Sequence, residues 1–451
     1  MAAHATLPPK HEIPACLIEP AVLRTLCFSG RKVNYREVIR QSLIISGSRL
    51  VALSMVTLDL MILGRLALDE TADFALAVQF SQIYVVLALG LTVGVNIAFN
   101  LRKSHSRTVA RSVAGYAIFT GFLLFLMSLV MGFFVTMSKN AQLSYFVLTL
   151  GIVPTTLYIA LCAMIEASGG ASWVFKLTIG AAIANAALDL ALVHLGLCSP
   201  AVAVALATTI VRLLLLGFVI YGCLRIYRIS IAPIFDGMEW KDLFSYGRTE
   251  ALVGLIFTGG VSFLFAYANA RGNDAALALL AIGINFLNIA SVIYLGMTRA
   301  VANVASALTH RISTDLKGLA IFGLAYVLST TAVLYAASPV LSWLYLGTVS
   351  PELLAIFVIA IWVVAFDGAA MLFITLLRLL DWRAGPPMLR LALIVIGVPL
   401  AMVWFDPLAM QPVFAGLLMG NIVAALLAGM LLLYAARQRA RKDLHTVAAH
   451  Q

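Results

Sequence analysis

Two polar residues, Asn185 and Asp189, stand four positions apart in an otherwise apolar stretch of the chain. On a helix this spacing puts both side chains on one face, one turn apart. A carboxylate in the middle of a membrane-spanning helix costs roughly 2.5 to 3.5 kcal/mol, so such a residue normally faces a polar cavity on an ion or substrate path. Asn185 and Asp189 are therefore the first candidates for an ion-binding site.

Two more aspartates, Asp59 and Asp367, interrupt other apolar segments. None of the three aspartates has a basic residue at helical spacing, although Arg49, Arg212 or Arg299 could approach one through tertiary contact. An unpaired carboxyl group away from water favours its neutral form and can then exchange a proton near physiological pH. The three carboxylates predict a proton or cation path, and a buried ion pair or an aspartate bonded to hydroxyls is the alternative.

The composition of the chain indicates the environment of these carboxylates. Hydrophobic residues make up 62% of the sequence, charged residues only 11%, and the mean hydropathy is +1.01. Ordinary soluble domains are about 25% charged. Long apolar runs, rather than short alternating ones, favour helices over a barrel as the membrane-spanning structure. We therefore expect an all-α, multi-pass membrane protein with the lipid bilayer as its surroundings.

Other kinds of chemistry find no support in the residue patterns. The five cysteines and seven histidines form no CxxC, HExxH or clustered pattern, so we expect no disulfide framework, no metal site and no cofactor. No Ser/His/Asp arrangement points to an enzyme. The net charge of +10 indicates membrane topology rather than binding to nucleic acid, so nucleic acid is not an expected partner.

Twelve apolar segments are long enough, at about 20 residues, to cross a bilayer. They are 42–65, 74–101, 110–136, 143–167, 173–195, 200–224, 244–270, 275–307, 317–345, 352–379, 386–404 and 412–436.

The longest polar connector divides these segments into two sets of six. The predicted organisation is an N-terminal tail (1–41), an N-lobe (42–224), a linker (225–243), a C-lobe (244–436) and a C-terminal tail (437–451). We expect the N-terminal tail to be disordered, because it is polar and basic.

Basic residues are strongly biased to one side of this arrangement. If both termini share a side, that side receives 24 of the 30 lysines and arginines, including Arg390, and the opposite loops receive only Arg65, Lys139 and Arg271. The positive-inside rule then places both termini, the linker and both tails in the cytoplasm. We expect the protein in the plasma or inner membrane of the cell, as a monomer.

A short internal repeat supports two related halves. The second segment contains Leu89 to Val95 and the eighth contains Leu295 to Val301, with the shared pattern Leu-Gly-X-Thr at corresponding places. Transporter halves are often such repeats around a midplane site. Together with the division into six and six, the match predicts two pseudo-symmetric six-helix lobes. Pro154 in the fourth segment is a predicted hinge, because an internal proline removes a helical hydrogen bond.

Four motifs, in the right order and segments, resemble the multidrug and toxic compound extrusion (MATE) family. Leu58 to Leu66 is similar to the family's VDTxMxGRL, and Asn185 to Thr208 is similar to NxxLD…G…GAAxAT. Phe366 to Met388 is similar to FDxxQ…LRGxGDTxxPM, and Gly296 to Ala300 fits GxxxA. The resemblance covers roughly residues 42 to 436.

The resemblance implies a secondary active multidrug efflux transporter, an antiporter that exports amphipathic or cationic small molecules in exchange for H⁺ or Na⁺. Its two lobes would rock between inward-facing and outward-facing states. The family's N-lobe cation or proton site corresponds by position to Asp59, Asn185, Asp189 and Thr208. Thr209 is the alternative to Thr208. Asp367 matches the family's C-lobe carboxylate.

The sequence departs from the family pattern at several positions. The proline usual near the start of the first segment is absent, so Gly47 is the predicted hinge there. Arg299 replaces a small polar residue, and Leu379 replaces glycine. A lipid or lipid-linked glycan flippase of the same superfamily is the alternative function, because Arg49, Arg212 and Arg299 could face the cavity. The sequence is compatible with both the exporter and the flippase.

Overall fold

The computed structural model describes residues 35–101, 106–168, 170–235, 237–271, 274–306, 312–380 and 386–449. Within these ranges the chain is almost entirely helical, and extended pairing is limited to one bridge between Asp406 and Ala409. The helices are α1 Tyr35–Leu66, α2 Leu68–Leu101, α3 Ser106–Phe134, α4 Lys139–Leu150, α5 Ile152–Ala167, α6 Ala171–Leu195, α7 Pro200–Tyr221, α8 Gly237–Arg271, α9 Asp274–Ser306, α10 Ile312–Leu346, α11 Pro351–Leu379, α12 Val398–Val403 and α13 Gln411–Ala449.

The lengths and composition of these helices define a multi-pass membrane protein. In the described part of the chain, eight helices are long and apolar enough to span a bilayer, and the bent pair α4 and α5 adds a ninth if counted as one span. Their outer faces expose large apolar side chains such as Phe119, Phe134 and Leu213, as a lipid-facing surface requires. The predicted all-α membrane class is confirmed.

The fourth predicted segment is not one straight helix. It consists of α4 and α5, which meet at Gly151 with a bend of 40°. Pro154 lies in the first turn of α5, where a missing N–H costs nothing. The bend expected at Pro154 is therefore present, but the helix breaks three residues earlier. The other predicted hinge, Gly47, lies within the continuous helix α1.

The helices differ in extent from three of the predicted segments. The linker 225–243 is partly helical, because α8 begins at Gly237. The C-terminal tail 437–451 continues the helix α13 to Ala449. The segment 386–404 is broken into a 3₁₀ turn (Pro386–Leu391), a π-helical turn (Leu393–Gly397) and the short helix α12. Of the N-terminal tail, residues 35–41 already belong to α1, and residues 1–34 lie outside the described ranges.

The two halves of the chain, α1 to α7 and α8 to α13, meet through two long helix pairs. α2 packs along α8, and α1 packs along α9. Close approach is possible at glycines: the Cα of Gly90 faces the backbone of Ala251, and that of Gly247 faces Leu91. A β-carbon on Gly90 would lie only 2.4 Å from the Ala251 Cα, so the backbones themselves are in contact there.

Candidate functional site

Four of the predicted site residues come together inside the N-terminal half. α1 supplies Asp59, α6 supplies Asn185 and Asp189, and α7 supplies Thr208. The first three residues are 0% exposed and Thr208 is 3% exposed. Helix spacing places Asn185 and Asp189 on one face of α6, and that face is the one that meets α1. We call these four residues the carboxyl cluster.

A single amide group connects the two carboxyl groups of the cluster. The Nδ2 of Asn185 donates to the Oδ1 of Asp59 at 2.6 Å and to the Oδ2 of Asp189 at 2.9 Å. The hydroxyl of Thr208 donates to the Oδ2 of Asp59 at 3.0 Å. Thr209 takes no part, because its hydroxyl donates to the carbonyl of Val147. Of the two threonines considered from the sequence, Thr208 is the one in the cluster.

Two acceptors of the carboxyl cluster are buried without a hydrogen bond. The Oδ1 of Asn185 and the Oδ1 of Asp189 have no donor among the described residues. Buried acceptors without a partner cost free energy, and two adjacent carboxylates also repel each other. A proton on one carboxyl group, or a small cation bound by these oxygens, would relieve both costs. The cluster is therefore suited to take up a positive charge.

Arg212 supplies a partly buried positive charge next to the cluster. It lies one turn after Thr208 on α7 and interacts electrostatically with Asp59, while its Nη1 is buried without a hydrogen-bond partner in the described chain. The break at Gly151 makes room for it: a β-carbon there would lie 3.0 Å from the Cδ of Arg212 and 3.1 Å from its Nη1. Arg212 was one of the three arginines expected from the sequence as a possible tertiary partner.

Asp367 lies apart from the carboxyl cluster, on α11 in the C-terminal half, and it is paired. The Nε and Nη2 of Arg390 donate to its two carboxyl oxygens, each at 3.1 Å. The charge bias assigns Arg390 to the cytoplasmic side, and nothing in the local sequence pairs it with Asp367. The signal that could have revealed it is an arginine within the apolar segment 386–404, since a charge in such a segment normally needs a partner.

A cavity of ≈ 360 Å³ lies between the two halves. Helices α1, α2, α8 and α9 and the 3₁₀ turn after α11 enclose it. Its lining is mostly apolar, with six polar or charged side chains: Gln79, Gln82, Thr258, Asn285, Asn288 and Arg390. Val56 and Leu60, which flank Asp59 on α1, also line it. The cavity and the carboxyl cluster therefore share the helix α1.

The described ranges show no further cluster of metal-binding side chains. There, no three histidine, cysteine, aspartate or glutamate side chains come together to hold a metal ion. The carboxyl cluster contains only two acidic groups, and its remaining oxygens come from an amide and a hydroxyl.

The architecture is similar to that of solved MATE transporters. An inward-facing conformation of a multidrug resistance MATE family transporter of the MOP superfamily matches with a TM-score of 0.77 and 17% identity, over 90% of this chain and 99% of that chain. An outward-facing conformation matches with a TM-score of 0.67 and 17% identity, over 91% and 98%. A MATE structure in complex with MaL6 matches with a TM-score of 0.66 and 18% identity, over 89% and 97%.

Comparisons of sequence alone give no match, either to a family model or to a curated protein. The chain therefore has the fold of the MATE transporters of the MOP superfamily, with a strongly diverged sequence. The resemblance predicted from the four motifs is confirmed at the level of the fold.

Proposed function

We propose that the protein is a secondary active transporter that exports amphipathic organic compounds in exchange for H⁺ or Na⁺. The observation that carries the proposal is the carboxyl cluster. Two carboxyl groups share one amide donor inside the membrane region, and two neighbouring oxygens have no donor in the described structure. Such an arrangement is costly as a purely structural feature, and it becomes favourable when an ion or proton binds.

The inter-half cavity supports a small organic molecule as the exported compound. Its volume of ≈ 360 Å³ lies within the range of about 300 to 1,000 Å³ that is typical of small-molecule sites.

Contacts between the halves are present towards both ends of α1. At one end, Ser42 bonds to Tyr326 and Ser46 bonds to the carbonyl of Ile293. At the other end, Arg65 bonds to the end of α10.

Alternating access follows if these two sets of contacts break in turn. In the proposed cycle, a proton or cation enters the carboxyl cluster from outside and changes how Asp59 holds α1 against α6 and α7. Because α1 also lines the cavity and carries both sets of contacts, its movement would couple ion binding to opening of the cavity. Coupling requires that the ion binds the two states with different affinity.

We propose the following membrane topology for this transporter. Twelve segments, α4 with α5 counted as one and the broken segment 386–404 as another, would cross the membrane as two pseudo-symmetric six-helix lobes. Both termini would be cytoplasmic, in the plasma or inner membrane. We propose a monomer that acts without a cofactor and without catalysis.

The flippase alternative has little support. Of the three arginines on which it depended, Arg212 faces the carboxyl cluster rather than the cavity, and the side chains of Arg49 and Arg299 lie outside the described residues. The small cavity volume also fits a drug-sized molecule better than a lipid-linked glycan.

The test is accumulation of amphipathic fluorescent dyes in everted vesicles under an imposed H⁺ or Na⁺ gradient. The wild type should accumulate dye under one gradient, and Asp189→Asn should abolish this at normal expression. Asp274→Asn is the matched control, because Asp274 is exposed in the first turn of α9. Equal transport by wild type and Asp189→Asn would remove Asp189 from the coupling site. No gradient-driven transport of any dye by the wild type would contradict the proposed exporter.

A further inference from the structure

The charge of the inter-half cavity differs from what a binding site for organic cations requires. Arg390 is the only charged residue among the cavity-lining residues of the described chain. A cationic compound would therefore meet a guanidinium group and no carboxylate in direct contact with the cavity. Asp367 does not compensate inside the cavity, because it is not among the lining residues and both its oxygens accept from Arg390.

Arg390 is held with one edge free. Asp367 takes the edge formed by Nε and Nη2, and the Cζ of Arg390 lies 5.7 Å from the ring centroid of Phe257. Within the described residues, Nη1 makes no hydrogen bond. Arginine can bind a second carboxylate through the edge formed by Nη1 and Nη2. The ion pair thus fixes the guanidinium in place and leaves an anion-binding edge beside the cavity.

A second donor lines the same cavity. The Oδ1 of Asn285 accepts the hydroxyl of Tyr345 at 2.7 Å, which fixes the orientation of this amide. Its Nδ2, the donor side, has no acceptor among the described residues. The apolar walls beside these donors are formed by aromatic and aliphatic side chains, among them Phe257, Val261 and Phe265.

We infer that the cavity binds an amphipathic organic anion, with its carboxylate on the free edge of Arg390 and its apolar body against the walls from α8. This inference rests on the proposed function, because it names the substrate class of the same transporter. It replaces the cationic class that the resemblance implied. The cation-coupling role of the carboxyl cluster is independent of it.

The test uses two probes with the same body and opposite charge, pyrenebutyrate and pyrenebutyl-trimethylammonium. Binding is measured at equilibrium to the purified full-length protein in nanodiscs, without an ion gradient, and binding to empty nanodiscs is subtracted. A charge-assisted hydrogen bond contributes about tenfold or more in affinity. The wild type should therefore bind the carboxylate probe at least about tenfold more tightly than the ammonium probe.

Variants of the ion pair separate a binding role from a structural one. Arg390→Gln should lose the preference for the carboxylate and gain affinity for the ammonium probe, because Asp367 is left unpaired beside the cavity. Asp367→Asn should keep the carboxylate preference, because Arg390 remains. The double variant Arg390→Gln/Asp367→Asn keeps a neutral hydrogen-bonded pair and should prefer neither probe. It provides the test if the single variant Arg390→Gln does not fold.

The outcomes separate this inference from the proposed function. A wild type that binds the ammonium probe more tightly, or both probes equally, would overturn the anion site. So would a carboxylate preference that survives in the double variant. Selective binding of the carboxylate probe, combined with a failure of all gradient-driven transport in vesicles, would support the site and overturn the exporter instead.

Discussion

Arg65 joins the end of α1 to the end of α10 by stacking on Trp343, with its Cζ 4.6 Å from the ring centroid. Its Nη2 donates to the carbonyl of Trp343 and its Nε donates to the carbonyl of Leu344, both at 3.0 Å. These carbonyls belong to the last turn of α10, and the carbonyl of Trp343 also accepts the N–H of Gly347 at 2.8 Å. One side chain of the N-terminal half therefore caps a helix of the C-terminal half.

Loss of this contact should favour opening of the halves at that end. In Arg65→Gln, the shorter neutral side chain can neither reach both carbonyls nor stack as a cation on Trp343. We expect the distance between spin labels at Leu197→Cys and Val349→Cys, in a background without native cysteines, to shift to larger values. Both label positions are exposed and lie in opposite halves.

Arg271→Gln is the matched control for Arg65→Gln. Arg271 stacks on Tyr267 of its own helix, at 4.9 Å from the ring centroid. Removing it should leave the distance distribution unchanged. If Arg65→Gln also leaves it unchanged, Arg65 does not hold the two halves together.

The hydroxyl of Thr208 should matter more to transport than that of its neighbour Thr209. Thr208→Val removes one of the two donors to Asp59, and an unsatisfied buried acceptor costs about 1 to 3 kcal/mol. We expect a lower melting temperature and impaired gradient-driven dye transport, with recovery in Thr208→Ser. Thr209→Val removes only a bond to the Val147 carbonyl. Its transport should stay close to wild type if its expression is normal, and equal loss in both valine variants would contradict this assignment.

Arg212 should stabilise the fold chiefly through Asp59. Arg212 acts electrostatically on Asp59 without a direct ion pair among the described contacts. Arg212→Gln leaves the buried Asp59 carboxyl group less compensated and should lower thermal stability. The same change in an Asp59→Asn background should cost much less, because the charge to be compensated is gone. A double-mutant cycle from thermal unfolding in detergent measures this coupling. Strictly additive effects would show that Arg212 acts through other contacts.

Gly47 can be tested as a hinge with little structural disturbance. Among the described residues, a β-carbon at Gly47 would meet nothing within 4 Å, and the same holds for Gly180 within α6. Alanine is favoured over glycine in a helix by about 0.5 to 1 kcal/mol, so both Gly47→Ala and Gly180→Ala should be stable. If α1 bends at Gly47 during transport, only Gly47→Ala should slow dye accumulation. Unchanged rates in both variants would remove Gly47 as a hinge.

The carboxyl cluster was within reach of sequence reasoning because its signals are local. Asn185 and Asp189 share a helix face by their spacing, and a charge in an apolar segment is conspicuous at Asp59. Thr208 required the resemblance, since a threonine in a membrane helix is not distinctive by itself. The structure brings these four residues together, and their role in coupling stays a prediction.

The remaining features depend on contacts that no local pattern encodes. The pairing of Asp367 with Arg390 spans 23 positions and an interruption of the helix. A charge count assigned Arg390 to a loop, because such a count does not distinguish an arginine just inside a segment from one in the adjacent loop. The break at Gly151 was placed at Pro154, since proline is the stronger local signal, whereas the helix breaks at Gly151, next to the side chain of Arg212.

The shared amide of Asn185 makes the protonation of one carboxyl group depend on the state of the other. Both of its N–H bonds are committed, one to Asp59 and one to Asp189. A proton or cation that settles on either carboxyl group therefore alters the donor on which the other depends. Two independent binding events would need two independent sets of donors, which this arrangement lacks. We expect Asp59 and Asp189 to titrate as one coupled pair, whose two protonation steps belong to the pair and not to either residue alone.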